Sequence, residues 1–291
     1  KARSITLLPI GGVAQMEKIP EKPMQELLMA VAGPLVNIVI ASILGIFLAL
    51  SMRTIHFNEI LSAQHITLPD FVATLMVVNV VLALFNFIPA FPMDGGRVLR
   101  ALLSFAMNRV KATRIAARTG QVLAIGFVLF GLFFNVWMVF IGLFIFLGAG
   151  AEAGFEEEKS ILETHKVKDA IMHKFTVLKK EDTIPMAVKY LLDSQETDFI
   201  VVENGHQCGI ITRKEIIKGL SEEGKNSFVG NYMLIKNFIL DPEMNLKEAY
   251  TKMTTDNIPI CAVEESGKIT GVLNLENIVE LLLVEKAGYV S

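Results

Sequence analysis

The chain has 291 residues, 52% of them hydrophobic and 20% charged, with 27 Lys and Arg against 30 Asp and Glu for a net charge of −3. A mean hydropathy of +0.50 excludes an ordinary pair of soluble domains, and so small a net charge excludes a nucleic-acid partner. Two cysteines, Cys208 and Cys261, exclude a disulfide scaffold and a four-cysteine zinc module, leaving a membrane protein with a soluble part attached.

The chain begins at Lys1, with neither an initiator Met nor a signal-peptide pattern. Its first segment, Leu7-Leu8-Pro9-Ile10-Gly11-Gly12-Val13, has a strand-like character over Ile5–Gln15. From Leu27 to Leu50 there are 24 residues without a charge, and Phe71 to Met93 gives 23 more. A spanning helix needs about 20 apolar residues, so each stretch predicts one span. The first contains Gly33-Pro34-Leu35-Val36-Asn37, where Gly33 suits close packing and Asn37 reads as a helix–helix contact. The second ends in Asn86-Phe-Ile-Pro89-Ala-Phe-Pro92-Met-Asp94-Gly95-Gly96, two prolines and a carboxylate at the end of an uncharged span. An ionisable group beside hydrocarbon marks a functional site. The alternative is that Asp94 only caps a basic helix over Gly95–Met107.

A third uncharged stretch, Thr119 to Ala151, runs for 33 residues, about 50 Å as a helix and too long for one crossing. Folding at the polar Asn135 predicts spans over 119–134 and 136–151; one long tilted helix is the alternative. The segment between Asp94 and Thr119 carries Arg97, Arg100, Arg109, Lys111, Arg114 and Arg118, whereas the loop from Ser51 to Asp70 has Arg53 as its one basic residue. The positive-inside rule therefore places the basic segment and the N-terminus in the cytoplasm. Two crossings in the third stretch return the chain there, and two unpaired cysteines suit that reducing compartment.

From about Ser160 the composition is that of a soluble domain, and it repeats. Displaced by 62 residues, Thr183–Leu220 matches Asn245–Leu282 with seven of 38 positions identical, among them Gly205/Gly267, Gly209/Gly271 and Ile216/Ile278. Thr183 and Asn245 are N-cap residues opening apolar helices. Phe199–Glu203 and Cys261–Glu265 read as strands, each followed by a glycine turn, a second strand and a helix. Two copies cannot make a solenoid, so they pack on each other.

This arrangement resembles a tandem CBS-domain pair, with repeats at about 164–220 and 226–284 and lead-in strands near Val167–Met172 and Val229–Met233. The resemblance implies adenine nucleotide binding between the repeats, at a Gly-x-x-Thr/Ser-x-x-Asp signature. The matching stretches, Gly209-Ile-Ile-Thr212-Arg-Lys-Glu215 and Gly271-Val-Leu-Asn274-Leu-Glu-Asn277, both lack the Asp. Thr212, Glu215, Asn274 and Asn277 are the candidate nucleotide residues, and a degenerate pair used for docking or dimerisation is the alternative. A homodimer through this pair is likewise implied by the resemblance.

The three ordered motifs of the first half, Leu-Leu-Pro-Ile-Gly-Gly, Gly-Pro-Leu-Val-Asn and Asn-x-x-Pro-x-x-Pro-x-Asp-Gly-Gly, resemble the site-2 protease family of intramembrane zinc metalloproteases over Ile5 to about Ala151. The fold expected is a partial multi-pass α-helical membrane domain, residues 1–159, followed by an α/β tandem CBS pair, residues 160–291. The resemblance implies that Asp94 is a zinc ligand, that Asn86 supports the oxyanion, and that the region of Gly11, Gly12 and Val13 presents an extended substrate. It implies cleavage of a membrane protein substrate within the lipid bilayer of the cell membrane. The physical logic agrees: zinc with an open position lowers the pKa of bound water to about 7, and an amide donates to a developing oxyanion without an ionisation cost.

One departure stands against this. The family's other ligands lie in His-Glu-x-x-His, but His56, His65, His165, His173 and His206 are neither followed by Glu nor spaced four apart. The expectation is a chain lacking its first spans, with a true pseudoprotease or non-catalytic scaffold as the alternative. A CBS-regulated transporter or channel is a further reading, disfavoured because Asn37, Ser42, Thr74, Asn79 and Asn86 are the few polar groups available to line a path.

Overall fold

The computed structural model describes residues 2–8, 11–16, 22–50, 68–194, 196–236 and 238–288, and residues 2–16 by their backbone alone. The chain divides into two compact units, Lys1–Glu157 and Glu158–Ser291.

The first unit opens with an antiparallel hairpin, β1 (Ala2–Leu8) and β2 (Gly11–Met16), in register Ile5↔Ala14 and Leu8↔Gly11. Among the described residues four helices follow that are long and apolar enough to cross a membrane. They are α1 (Pro23–Leu50) and α2 (Leu68–Asn86), then, after the short α3 (Asp94–Ser104), α4 (Arg109–Phe134) and α5 (Val136–Thr164). Their packing places small residues inside and large ones outside. Ala30, Ala41, Ala73, Ala83, Ala112, Ala116 and Ala124 are buried, whereas Ile43, Leu84, Leu132 and Phe133 are exposed. In water that distribution would be unstable, but lipid is as apolar as leucine, so close backbone approach and not apolar burial selects the interface residues. This unit is a multi-pass α-helical membrane domain.

Asn135 interrupts what would otherwise be one continuous helix. Its backbone is extended (φ −162°, ψ 115°), and its side-chain carbonyl accepts from the N–H of Trp137 at 2.9 Å, capping the start of α5. The two helices then run back against each other, with Gly131 meeting Val139 and Gly142 meeting Ala124.

The second unit is built twice. The first copy runs β3 (Val177–Lys179), α6 (Ile184–Asp193), β4 (Asp198–Glu203), β5 (His206–Thr212) and α7 (Arg213–Glu222). After the single turn α8 (Val229–Tyr232), the second runs β6 (Ile239–Leu240), α9 (Leu246–Thr255), β7 (Ile260–Glu265), β8 (Lys268–Asn274) and α10 (Leu275–Lys286). Each sheet has three strands, the first pair parallel and the second antiparallel. The repeat extends to its irregularities. Val201↔Gly209 and Val263↔Gly271 are equivalent pairs, each followed by a register shift at the next residue.

The lead-in segments correct the sequence reading. Val167–Asp169 is a 3-10 turn, closed by the Asp169 carboxylate accepting from Lys166 N–H at 2.8 Å, and Val229–Tyr232 is α-helical. Only their ends are extended, and each pairs with the other copy: Met172 bridges Val272, and Leu234 bridges Ile210. A segment that pairs outside its own repeat carries a strand's apolar residues without a strand's length. Gln207, buried on β5, reinforces the crossing, its carbonyl accepting from Ala262 N–H of β7 at 3.0 Å.

Candidate functional site

Asp94 is the first residue of α3, and the turn Phe87–Met93 carries the chain to it from the end of α2. The alternative that Asp94 merely caps is not what forms. The N-cap position is Met93, and no side-chain capping bond is made there. The carboxylate instead turns toward α1, where a Cβ added to Gly33 would stand 2.8 Å from its Oδ2. Pro34, inside α1, leaves the Ala30 carbonyl without its ladder donor. Burial pushes the Asp94 carboxyl above its ordinary range, and Arg97 opposes that.

The turn itself is gripped by glycines from three helices. Cβ atoms on Gly96 of α3, Gly120 of α4 and Gly148 of α5 would lie 2.6, 3.1 and 2.8 Å from atoms of Ala90, Phe91 or Pro92. Hence the doubled glycine after Asp94: the second admits the backbone of Ala90–Phe91.

Asn86, the last residue of α2, is half-buried, as is Asn37 on α1. Neither side-chain amide makes a hydrogen bond among the described residues, so no interhelical hydrogen bond of Asn37 is found among them. The buried amide that does bond is Asn79, to the Leu75 carbonyl of its own helix at 2.8 Å.

Sequence reasoning missed a buried ion network behind this turn. The Arg100 guanidinium lies over the Phe91 ring at 5.0 Å. Its Nε and Nη2 meet Glu26 Oε1 at 2.7 and 2.5 Å, and its Nη1 meets Glu152 at 2.6 Å. Arg109 bridges Glu26 at 2.5 Å and Glu156 at 2.8 Å. Glu26 and Arg100 are 1% and 2% exposed, so these charges compensate one another almost without water. Four helices, α1, α3, α4 and α5, are tied together at this point. The partners stand 47 to 83 residues apart, beyond any local pattern, and a lone Glu26 at the edge of the first apolar run was the one signal available.

Gly11, Gly12 and Val13 form the start of β2, paired with β1. In the second unit Thr212 and Asn274 occupy equivalent N-cap positions of α7 and α10. Thr212 accepts from Lys214 N–H at 3.2 Å and donates to Glu215, while Asn274 accepts from Asn277 N–H at 2.7 Å. By contrast Thr183, at the N-cap of α6, makes no side-chain cap bond. Asp198 pairs across from Thr212 in the β4–β5 ladder. Burial pushes the Asp198 carboxyl up; the Thr197 hydroxyl, donating at 3.0 Å, and Arg213 pull it down, while Glu276 and Glu215 add like charge. A separate depression of about 390 Å³ is lined by Phe175, Val177, His206 and Lys268, and includes none of the four candidate nucleotide residues.

Among the described residues no three His, Cys, Asp or Glu side chains converge as metal ligands. Asp94 stands as one carboxylate, so these residues alone do not fit a closed zinc site.

Comparison with known proteins places this geometry. Residues 52–129 match peptidase family M50, and residues 167–222 and 229–284 each match the CBS domain. The zinc metalloprotease MJ0392 of Methanocaldococcus jannaschii is 35% identical over 286 residues, covering 98% of this chain and 78% of that protein. The protein sll0528 of Synechocystis sp. is 27% identical over 303 residues, 99% of this chain and 77% of its own. A solved CBS domain pair, from the protein MJ0100 in complex with 5′-methylthioadenosine and S-adenosyl-L-methionine, aligns with a TM-score of 0.38 at 22% identity over 42% of this chain and 98% of its own. The chain belongs to peptidase family M50, the site-2 proteases, and carries a tandem pair of CBS domains.

Proposed function

We propose that this chain serves zinc-dependent hydrolysis of a peptide bond in or near a transmembrane segment of a membrane protein. The observation that carries the reading is Asp94. Its carboxylate opens a helix at the end of an uncharged span and faces a glycine of α1, inside a turn held by three further glycines. So much close packing around one ionisable group is unnecessary for a cap and suits a carboxylate that must keep its place.

In this reading Asp94 is one ligand of the metal. Asn86, with an amide unengaged among the described residues, donates to the developing oxyanion. The edge of the β1–β2 hairpin, with Gly11, Gly12 and Val13, receives an extended substrate by strand addition, where main-chain pairing requires no particular side chain. Residues Arg97 to Arg118 and the CBS pair lie on the cytoplasmic side.

The CBS pair acts as a nucleoside-sensing or docking module. Asp198 and Glu215 flank Thr212 with hydrogen-bond acceptors, which suits ribose hydroxyls and opposes phosphates. AMP and adenosine are therefore expected to bind more tightly than metal-free ATP in calorimetric titration of the protein.

The test of the protease reading is reconstitution of the intact protein in vesicles with a membrane-spanning substrate. Cleavage within or beside the substrate span, abolished by a chelator and restored by zinc, is the expected result. Cleavage confined to soluble loops, or insensitive to the chelator, would refute the reading.

A further inference from the structure

The outward face of α4 changes chemistry along its length. Positions 111, 115, 118, 122, 125 and 129 recur at three- and four-residue spacing, so they share one stripe. Every one of them is exposed, while Ala112, Ala116, Ala117 and Ala124 are buried. The stripe begins with Lys111, Ile115 and Arg118 and carries no charge beyond them, in Val122, Ile125 and Leu129. No charge follows until Glu152. At the far end the exposed groups are aromatic, Phe133, Phe134 and Trp137.

An interfacial aromatic belt accounts for the far end. The near end carries unbalanced charge. Arg114, beside the stripe, pairs with Glu157 at 2.8 Å, and Arg109 is held in the buried network. Lys111 and Arg118 have no carboxylate partner among the described residues, although both sit where the helix passes from polar to apolar surroundings. They are seven residues apart, about 10 Å along the helix axis. The headgroup layer of one leaflet is about 5–8 Å thick, so the two cations bracket it. Long basic side chains reach toward that layer from the hydrocarbon edge, and a phosphate there receives charge-assisted hydrogen bonds from both.

We propose that Lys111 and Arg118 form a binding surface for the headgroup phosphates of anionic phospholipids, fixing this end of α4 at the membrane interface. The surface requires cations without a carboxylate partner among the described residues and an apolar stripe for the acyl chains beneath them, and α4 has both.

The experiment reconstitutes the protein in vesicles of equal parts phosphatidylglycerol and phosphatidylcholine. After gentle extraction, the lipids retained are counted by native mass spectrometry. The ratio of phosphatidylglycerol to phosphatidylcholine among the retained lipids is expected to be roughly thirtyfold its bulk value, since each of the two basic residues at an anionic surface adds about 1 kcal/mol. The ratio falls to near its bulk value in K111Q/R118Q. The enrichment persists in K189Q/K225Q, which removes the same charge from exposed lysines of the CBS pair. A second arm needs no variant: raising ionic strength from about 0.01 M to about 1 M must shrink the enrichment in the wild type. Retention of the two lipids in their bulk ratio would overturn the proposal and leave an acidic protein segment as the partner of these cations. Enrichment that survives both the glutamine substitutions and high salt would also overturn it.

Discussion

The two halves of this chain secure their functional groups by opposite means. The CBS half is a duplication, and almost every feature of one copy has its counterpart 62 residues away, down to the register shift after Val201 and Val263. Among its described residues the membrane half shows no such duplication. Its candidate site carboxylate, Asp94, faces Gly33 beside a turn gripped by single glycines of three further helices, with one buried network of five charges behind that turn. Damage in the duplicated half is therefore spread over two crossings, whereas damage in the membrane half falls on parts that nothing else duplicates.

The largest effect is expected where that uniqueness is greatest. Arg100→Met leaves Glu26 buried with only Arg109 to balance it, and should cost about 3–5 kcal/mol in detergent unfolding experiments. A loss below about 1 kcal/mol would mean that water reaches the network and that the four helices are held by packing alone.

Next comes Gly33→Ala. The atom that the new methyl meets is the end of a flexible carboxylate, so the fold should survive while Asp94 is displaced. A misplacement near 1 Å costs about 100-fold in rate, so proteolysis by the intact protein should fall by that order with its melting temperature nearly unchanged. An unaltered rate would break the link between Gly33 and the site.

In the duplicated half, Gln207→Leu removes the acceptor of the buried Ala262 N–H. The expected loss is about 1–3 kcal/mol of CBS-pair stability, measured by denaturant titration. An effect as large as that of Arg100 would erase the contrast between the halves.

The smallest effect is electrostatic. Lys166 and Lys168 each meet Glu243 at 2.5 Å and hold its carboxyl down at about 2. A depressed carboxyl stabilises the fold above its unfolded pKa, and that contribution is lost as pH falls from about 4.5 toward 2. Glu243→Gln should remove that part of the acid sensitivity and leave neutral-pH stability little changed, as the pair is exposed and screened.

What the sequence disclosed follows the same division. The repeat was legible because a duplication writes its register twice, and the apolar runs because a bilayer requires their length. The break at Asn135 has a local cause, an amide that caps the next helix. The lead-in segments were misread as strands because their pairing partners belong to the other copy, a fact absent from either segment alone. Glycines 33, 120 and 148 look alike in sequence, and only the fold shows which backbone or carboxylate each one admits. Arg100 and Arg109 read as topology signals, yet both are turned inward upon carboxylates far along the chain.

The central claim is that Asp94 is the carboxylate on which proteolysis depends. Asp94→Asn keeps the size of the side chain and removes its charge, so the turn and the helices should assemble as before. In the intact protein, reconstituted with a membrane-spanning substrate, the variant should fold with an unchanged melting profile and show no cleavage. Cleavage at the wild-type rate by Asp94→Asn would contradict the account at its root.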